Sequence, residues 1–311
     1  EQTDKDEPYF LCLSHKAVHE NFTPTKRHHQ KYIDEKITYP DSYANTVENY
    51  KGKPDWLKKQ RKSWHGAERD YVNIDRVEGD DLARMTQLYA ECMLGVDESL
   101  GKLVQTLEDL GELDNTVIIY MSDNGYLLGE HGLIDKRVMY EESIRVPAFL
   151  HWGNRIKEGS INNEFVLNID IAPTILDIAG VKKPDTMHGA SFLPLALGEK
   201  VDWRQDFLYE YFVDHMAVQT PTIYGLRTKQ YSYMTYNGVW DTFELYDINK
   251  DPNQKNNLLG DVVYGQGYGH FVRHAVKQLP ELAPTIKKLD NRINELLEET
   301  DGQRRPTWDK N

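Results

Sequence analysis

The sequence predicts an α/β protein that ends in a smaller α+β part. Three observations carry this. An amphipathic run over 80–110 leads through a tight turn into the β-branched stretch 116–121, the helix–turn–strand rhythm of an α/β sheet. A second unit runs from Phe165-Val166-Leu167 into an apolar helix over 171–179, closed by Gly180. After residue 200, short aromatic stretches separated by turn residues replace this rhythm, which predicts an antiparallel sheet. The expected boundaries are 1–200 for the α/β part and 201–311 for the α+β part.

The elements follow in order. Residues 9–13, Tyr-Phe-Leu-Cys-Leu, read as a short buried strand. Residues 15–80 are long, polar and weakly patterned, so irregular structure is expected. Leu82, Met85, Tyr89, Cys92, Val96, Leu103, Leu107 and Leu110 recur at three- and four-residue steps and share one helix face. Asp80 and Asp81 suit its N-terminus and Gly111 its C-terminal cap. The run 116–121 is of the kind found in buried parallel strands, and 146–150 is a further strand candidate. Later strands are expected at 207–212, 223–227, 231–235 and 243–248, with a last amphipathic helix over 282–297.

Composition excludes several function classes. The 311 residues carry a formal charge of −13, which argues against nucleic acid or an anionic membrane as the main partner. No stretch approaches the ~18 apolar residues of a transmembrane helix. Two cysteines, Cys12 and Cys92, make neither a disulfide framework nor a paired zinc spacing. No signal peptide is visible, and the chain begins Glu1-Gln2-Thr3 without Met.

Two segments carry chemistry. In open parallel sheets ligands bind beyond the carboxyl ends of strands. The 116–121 strand ends in Ser122-Asp123-Asn124-Gly125, where a carboxylate and an amide carbonyl stand side by side as hard oxygen ligands. A plain turn is the other reading of those four residues. The loop that follows, 125–137, is punctuated by glycines and carries Glu130, His131, Asp135, Lys136 and Arg137. Lys136 is a candidate anion contact. The 9–13 run ends in Ser14-His15-Lys16-Ala17-Val18-His19, two imidazoles around a lysine, and histidine is the natural proton donor near neutral pH. Both segments are expected to leave the same edge of one sheet.

These residues resemble the type I sulfatases. The similarity rests on 14–22, on the block from Ser122-Asp123-Asn124-Gly125 through Gly129-Glu130-His131-Gly132 to Lys136, Tyr140-Glu141 and Arg145-Val146-Pro147, on the helix run 95–116, and on 226–247. The branch it looks most similar to holds glucosamine-6-sulfatases and other glycan-desulfating enzymes. The resemblance implies an alkaline-phosphatase-like sulfatase fold, incomplete at its N-terminus. It implies that Asp123 and Asn124 ligate one Ca2+, in preference to Mg2+. It also implies that Lys136 contacts the sulfate and that His19 stands by the scissile ester oxygen as a hydrogen-bond or proton donor. Lys16 is a neighbouring substrate contact, while His131 is as well explained by packing. Trp240 and Asp241 are expected near a sugar-binding rim, whereas alternation assigns Tyr209 and Tyr211 to sheet packing. The implied partner is a sulfated carbohydrate or another sulfate ester, and the implied location is periplasmic, secreted or lysosome-like.

The family's Cys-x-Pro-x-Arg-type motif, which is oxidised to formylglycine, is absent from the 311 residues, as is the aspartate pair that completes its calcium site. The expectation is that a preceding sulfatase segment supplies them and that this chain alone does not turn over. Two other readings remain: a phosphodiesterase or phosphonate hydrolase of the same superfamily, and an inactive fragment that binds sulfated glycans.

Overall fold

A computed structural model describes residues 7–69, 81–213, 215, 220–237, 243–262 and 271–304. In chain order its elements are α1 (Val47–Tyr50), α2 (Asp55–Lys59), α3 (Asp81–Leu110), β1 (Ile118–Met121), β2 (Leu127–Leu128), β3 (Ile134–Asp135), α4 (Glu141–Ile144), β4 (Ala148–His151), α5 (Ile171–Ile178), α6 (Leu193–Ala196), β5 (Asp206–Tyr211), β6 (Thr222–Thr228), β7 (Tyr231–Asn237), β8 (Glu244–Asp247), α7 (Phe271–Gln278) and α8 (Ala283–Glu299). The chain divides into two compact units, one of residues 1–38 and 71–112, the other of 39–70 and 113–311.

The first unit is built on α3. Leu82, Met85, Leu88, Cys92, Val96 and Leu107 bury its apolar face. It ends as its sequence predicts. Gly111 adopts φ +70°, its N–H reaches Glu108 O at 2.9 Å, and Glu112 N–H reaches Leu107 O at 2.8 Å. The segment 15–35 is irregular and is tied to polar positions on α3. Gln87 donates to the carbonyls of Ile33 and Glu35 at 3.2 and 3.0 Å, and Glu98 pairs with Arg27 and, at 2.7 Å, with His28. The strand expected at 9–13 does not form. Tyr9, Phe10, Leu11 and Leu13 are all exposed, because among the described residues no neighbouring strand supplies a ladder for this run.

The second unit is built on the antiparallel sheet β5-β6-β7-β8. Both faces of this sheet are buried, and the side chains alternate between two cores. Tyr224, Leu226, Tyr233 and Leu245 meet Ala275 of α7 and Ile286, Leu289, Ile293 and Leu297 of α8. Ile223, Met234, Tyr236 and Tyr246 meet Trp56 and Leu57 of α2 and Leu127, Leu133, Val138, Met139 and Tyr140. On that second face Gly225 has no room for a side chain, since a Cβ there would lie 2.0 Å from Met139 Sδ. The sheet thus presses directly on the loop that carries Lys136.

β1 lies where it is expected, but its observed partner is antiparallel. It pairs with β4, Ile118 opposite His151 and Met121 opposite Ala148. Both strands are only partly covered, with Phe149 66% exposed. The β-branched run therefore specifies a strand without specifying a parallel neighbour, and no parallel pairing occurs among the described residues. No strand forms at 165–167. There the chain is held by Asp170, whose buried carboxylate accepts the N–H groups of Leu167 and Ala190 and a fork from Arg204. Among the described residues no helix is long and apolar enough to cross a membrane.

Candidate active site

β1 ends at Met121 and delivers Asp123 and Asn124 just beyond Ser122. Asp123 is exposed, and its Oδ1 accepts the Asn124 N–H at 2.9 Å. Asn124 Nδ2 donates to Gly125 O at 2.7 Å, which leaves the carbonyl end of that amide to face a cation. Carboxylate and amide oxygens are the donors a hard cation such as Ca2+ takes, so the pair fits a calcium site in its chemistry. It supplies only part of one. Among the described residues no group of three or more His, Cys, Asp or Glu side chains is placed to hold a metal ion. Gly125 is needed for close approach: its N–H reaches Ser143 O at 2.8 Å, and a Cβ would meet Glu142 O at 2.0 Å.

The 129–137 loop is fixed by backbone conformations that few residues adopt. Gly129, His131, Gly132 and Asp135 all have positive φ. A Cβ on Gly132 would collide with Arg61 and the Tyr50 hydroxyl. His131 stacks on Tyr140 with ring centroids 3.8 Å apart and is fully buried, and neither ring nitrogen has a hydrogen-bond partner. Burial, and then the charges of Lys53 and Lys255, hold its pKa well below the usual histidine range. His131 is a packing residue.

Lys136 is half-buried, with its Nζ 3.3 Å from Asp135 Oδ1. Asp135 also takes His65 Nδ1 at 2.6 Å and Arg137. Burial pushes the Asp135 carboxyl up, but the close His65 imidazole and the charges of Lys136 and Arg137 outweigh it and hold the group at about 2. Ser143 Oγ donates to Lys136 O at 2.5 Å and ties the lysine backbone to α4.

On the other side of this loop lies a second polar cluster that sequence reading missed. Buried Glu244 accepts the hydroxyls of Tyr140 at 2.7 Å and of Tyr236 and Tyr246. Lys53 Nζ donates to Tyr246 Oη at 2.9 Å and Gln254 O at 2.7 Å. Burial lowers the Lys53 pKa to about 8, against the raising effect of Glu244, Asp251 and Glu142. These partners lie up to 201 residues apart in sequence, and only the adjacent Tyr236, Glu244 and Tyr246 on neighbouring strands gave any local signal.

In the first unit, His19 and Lys16 sit in an exposed turn, His19 N–H bonding Lys16 O at 2.9 Å. His19 Nδ1 lies 2.6 Å from Glu20 O, and His15 Nε2 lies 2.9 Å from Ser99 Oγ on α3. Since 9–13 forms no strand, the expected common sheet edge for this motif and Asp123-Asn124 is absent among the described residues. Trp240 and Asp241 lie outside the described residues. Tyr209 and Tyr211 pack against the core beneath the 127–140 loop, as their alternation predicts.

Comparison with known proteins agrees with the resemblance. A family model described as Sulfatase matches residues 1–181, and one described as N-sulphoglucosamine sulphohydrolase, C-terminal, matches 129–282. The chain is 30% identical to an N-acetylglucosamine-6-O-sulfatase of Bacteroides thetaiotaomicron, over 86% of its own length and 56% of that protein's. It is 46% identical to human N-acetylglucosamine-6-sulfatase over 42% of its length and 24% of the human protein's. It thus spans about half, or less, of the length of these relatives. Among solved structures, BT4656 in complex with D-glucosamine-2-N,6-O-disulfate superposes with a TM-score of 0.78 at 26% identity, covering 92% of this chain and 64% of that one. A phosphonate monoester hydrolase from Silicibacter pomeroyi, at 18% identity and a TM-score of 0.71, shares the fold. With a sulfatase model matched over more than half of its residues, the chain belongs to the sulfatase family and has its alkaline-phosphatase-like fold.

Proposed function

We propose that this chain is part of a sulfatase that hydrolyses sulfate esters on a sulfated carbohydrate, a 6-O-sulfated glucosamine in the first instance. The observation that carries the reading is that the sulfatase match over 1–181 spans His19, Asp123, Asn124 and Lys136 together. The relatives named for N-acetylglucosamine 6-sulfate and the disulfated glucosamine bound to BT4656 support the substrate class.

The proposed roles follow from charge. As a sulfate ester breaks, negative charge grows on the bridging oxygen, and groups aimed at that charge stabilise the transition state. Lys136 would bind the sulfate oxygens and neutralise part of that charge. His19 would donate a hydrogen bond or a proton to the leaving oxygen. Lys16 would add positive charge beside His19, and Trp240 and Asp241 would contact the sugar. Asp123 and Asn124 would hold Ca2+ together with ligands from a preceding segment, and that ion supplies Lewis-acid stabilisation of the sulfate when bound. The same segment would carry the formylglycine nucleophile. The relatives include proteins named as extracellular sulfatases, which supports a location outside the cytoplasm.

The test is sulfate release from N-acetylglucosamine 6-sulfate by the full gene product, with calcium and zinc measured in the same preparation. Turnover that H19A and K136A each reduce at least ~100-fold is expected, with calcium bound. Stoichiometric zinc with phosphonate monoester turnover and no sulfate release would instead establish the phosphonate hydrolase alternative.

A further inference from the structure

Lys136 is a flexible four-carbon side chain, and holding its ammonium at one point costs rotamer entropy that something must offset. The structure shows the device. Asp135 ends β3 with φ +82°, a left-handed conformation that a non-glycine residue rarely adopts and that Asp and Asn tolerate best. In a regular strand, neighbouring side chains point to opposite faces. The left-handed residue breaks that alternation, and the consecutive side chains of Asp135 and Lys136 meet at 3.3 Å.

A carboxylate that simply captured the ammonium would also cancel the charge needed for an anion. Here the carboxylate is shared. Oδ1 faces Lys136, while Oδ2 is taken by His65 at 2.6 Å and by Arg137. Because Oδ2 keeps its own contacts, the ammonium can move toward a sulfate without leaving a bare buried carboxylate. His65 is itself anchored. Its carbonyl accepts the Ile134 N–H at 2.9 Å, Gly66 bridges Leu133, and Ala67 N–H reaches Gly132 O at 3.0 Å. The 63–67 turn is therefore stitched to the 132–134 backbone, with its imidazole at the carboxylate.

We infer that Asp135, backed by His65, is a positioning residue that sets where the Lys136 ammonium stands to meet an anionic ester. This rests on the sulfate-binding role proposed for Lys136.

The experiment compares D135N, H65Q and K136A in the full gene product, with N-acetylglucosamine 6-sulfate as substrate. D135N keeps the shape and the tolerance for positive φ, and removes the charge and one of the two acceptor oxygens. It should lower kcat about 10- to 100-fold while KM changes less than ~3-fold, because the misplaced ammonium matters most in the transition state. H65Q should show the same split with a smaller fall, about 3- to 10-fold. D135N with kcat within twofold of wild type, while K136A loses activity, overturns the inference and leaves the Lys136 reading standing. K136A with undiminished activity overturns both. Should D135N not fold, H65Q decides alone, and an unchanged kcat in folded H65Q overturns the inference.

Discussion

Asp135 and Glu244 are two buried carboxylates on opposite sides of the same loop, and their burial is offset by different partners. Asp135 is surrounded by the cations of Lys136 and Arg137 and by the His65 imidazole. Glu244 is surrounded by the hydroxyls of Tyr140, Tyr236 and Tyr246, with buried Lys53 nearby. Both arrangements offset desolvation. They differ in what is left over. The cation-rich arrangement sets a half-buried ammonium and a half-buried guanidinium beside one carboxylate, donor groups of the kind that bind an anion. In the hydroxyl arrangement the three tyrosine hydroxyls are all spent on the one buried carboxylate. On this comparison the proposed catalytic role belongs to the Asp135 side, and the Glu244 side is the scaffold beneath the loop.

The largest expected effect is on the catalytic side. K136A should lower sulfate-ester kcat by about 10³-fold, the scale of removing one charged transition-state contact, and should leave the melting temperature nearly unchanged. Next comes the scaffold. E244A leaves three tyrosine hydroxyls without their acceptor and a buried ammonium without its neighbouring carboxylate, and denaturant titration should show a loss of about 3–5 kcal/mol. A stability cost for K136A larger than that for E244A would break the contrast.

The two clusters should also separate along the pH scale. Folded Asp135 titrates at about 2, below its ordinary 3.8, so its contribution is present above pH 3.8 and is lost as pH falls toward 2. D135N should remove an acid-side loss on the order of 2 kcal/mol from stability curves. Folded Lys53 titrates at about 8, below its ordinary 10.5. Above pH 8 the unfolded chain holds a proton that the folded chain has released, so this group makes stability rise with pH. The rise is readable between about pH 8 and 10, below the onset of tyrosine ionisation in the unfolded chain. K53M should flatten it, and an equal alkaline slope in K53M would remove Lys53 as its source. The smallest effect belongs to the surface. K229A, which breaks an exposed pair with Glu164, should shift stability by less than ~0.5 kcal/mol.

Much of the local structure was legible in the sequence. The 80–110 periodicity and Gly111 give α3 and its cap, and the aromatic runs after 200 give β5 to β8 within a residue or two. These succeed because a repeating apolar pattern reports a face that must be buried. The 9–13 run and the partner of β1 were misread because apolar character fixes a preference for strand and says nothing of what lies alongside. The candidate site was legible where its residues adjoin, as in Asp123-Asn124 and Lys136. His65 and Lys53 were not, since each acts on groups that only the fold brings near, and both read in sequence as ordinary members of a polar stretch.

The most direct test of the account is the rate of sulfate release from N-acetylglucosamine 6-sulfate by the full gene product and by its K136A variant, with folding of both confirmed by melting temperature. The account predicts calcium-dependent turnover in the first and a fall of about 10³-fold in a fully folded second. Equal rates in the two proteins would contradict it.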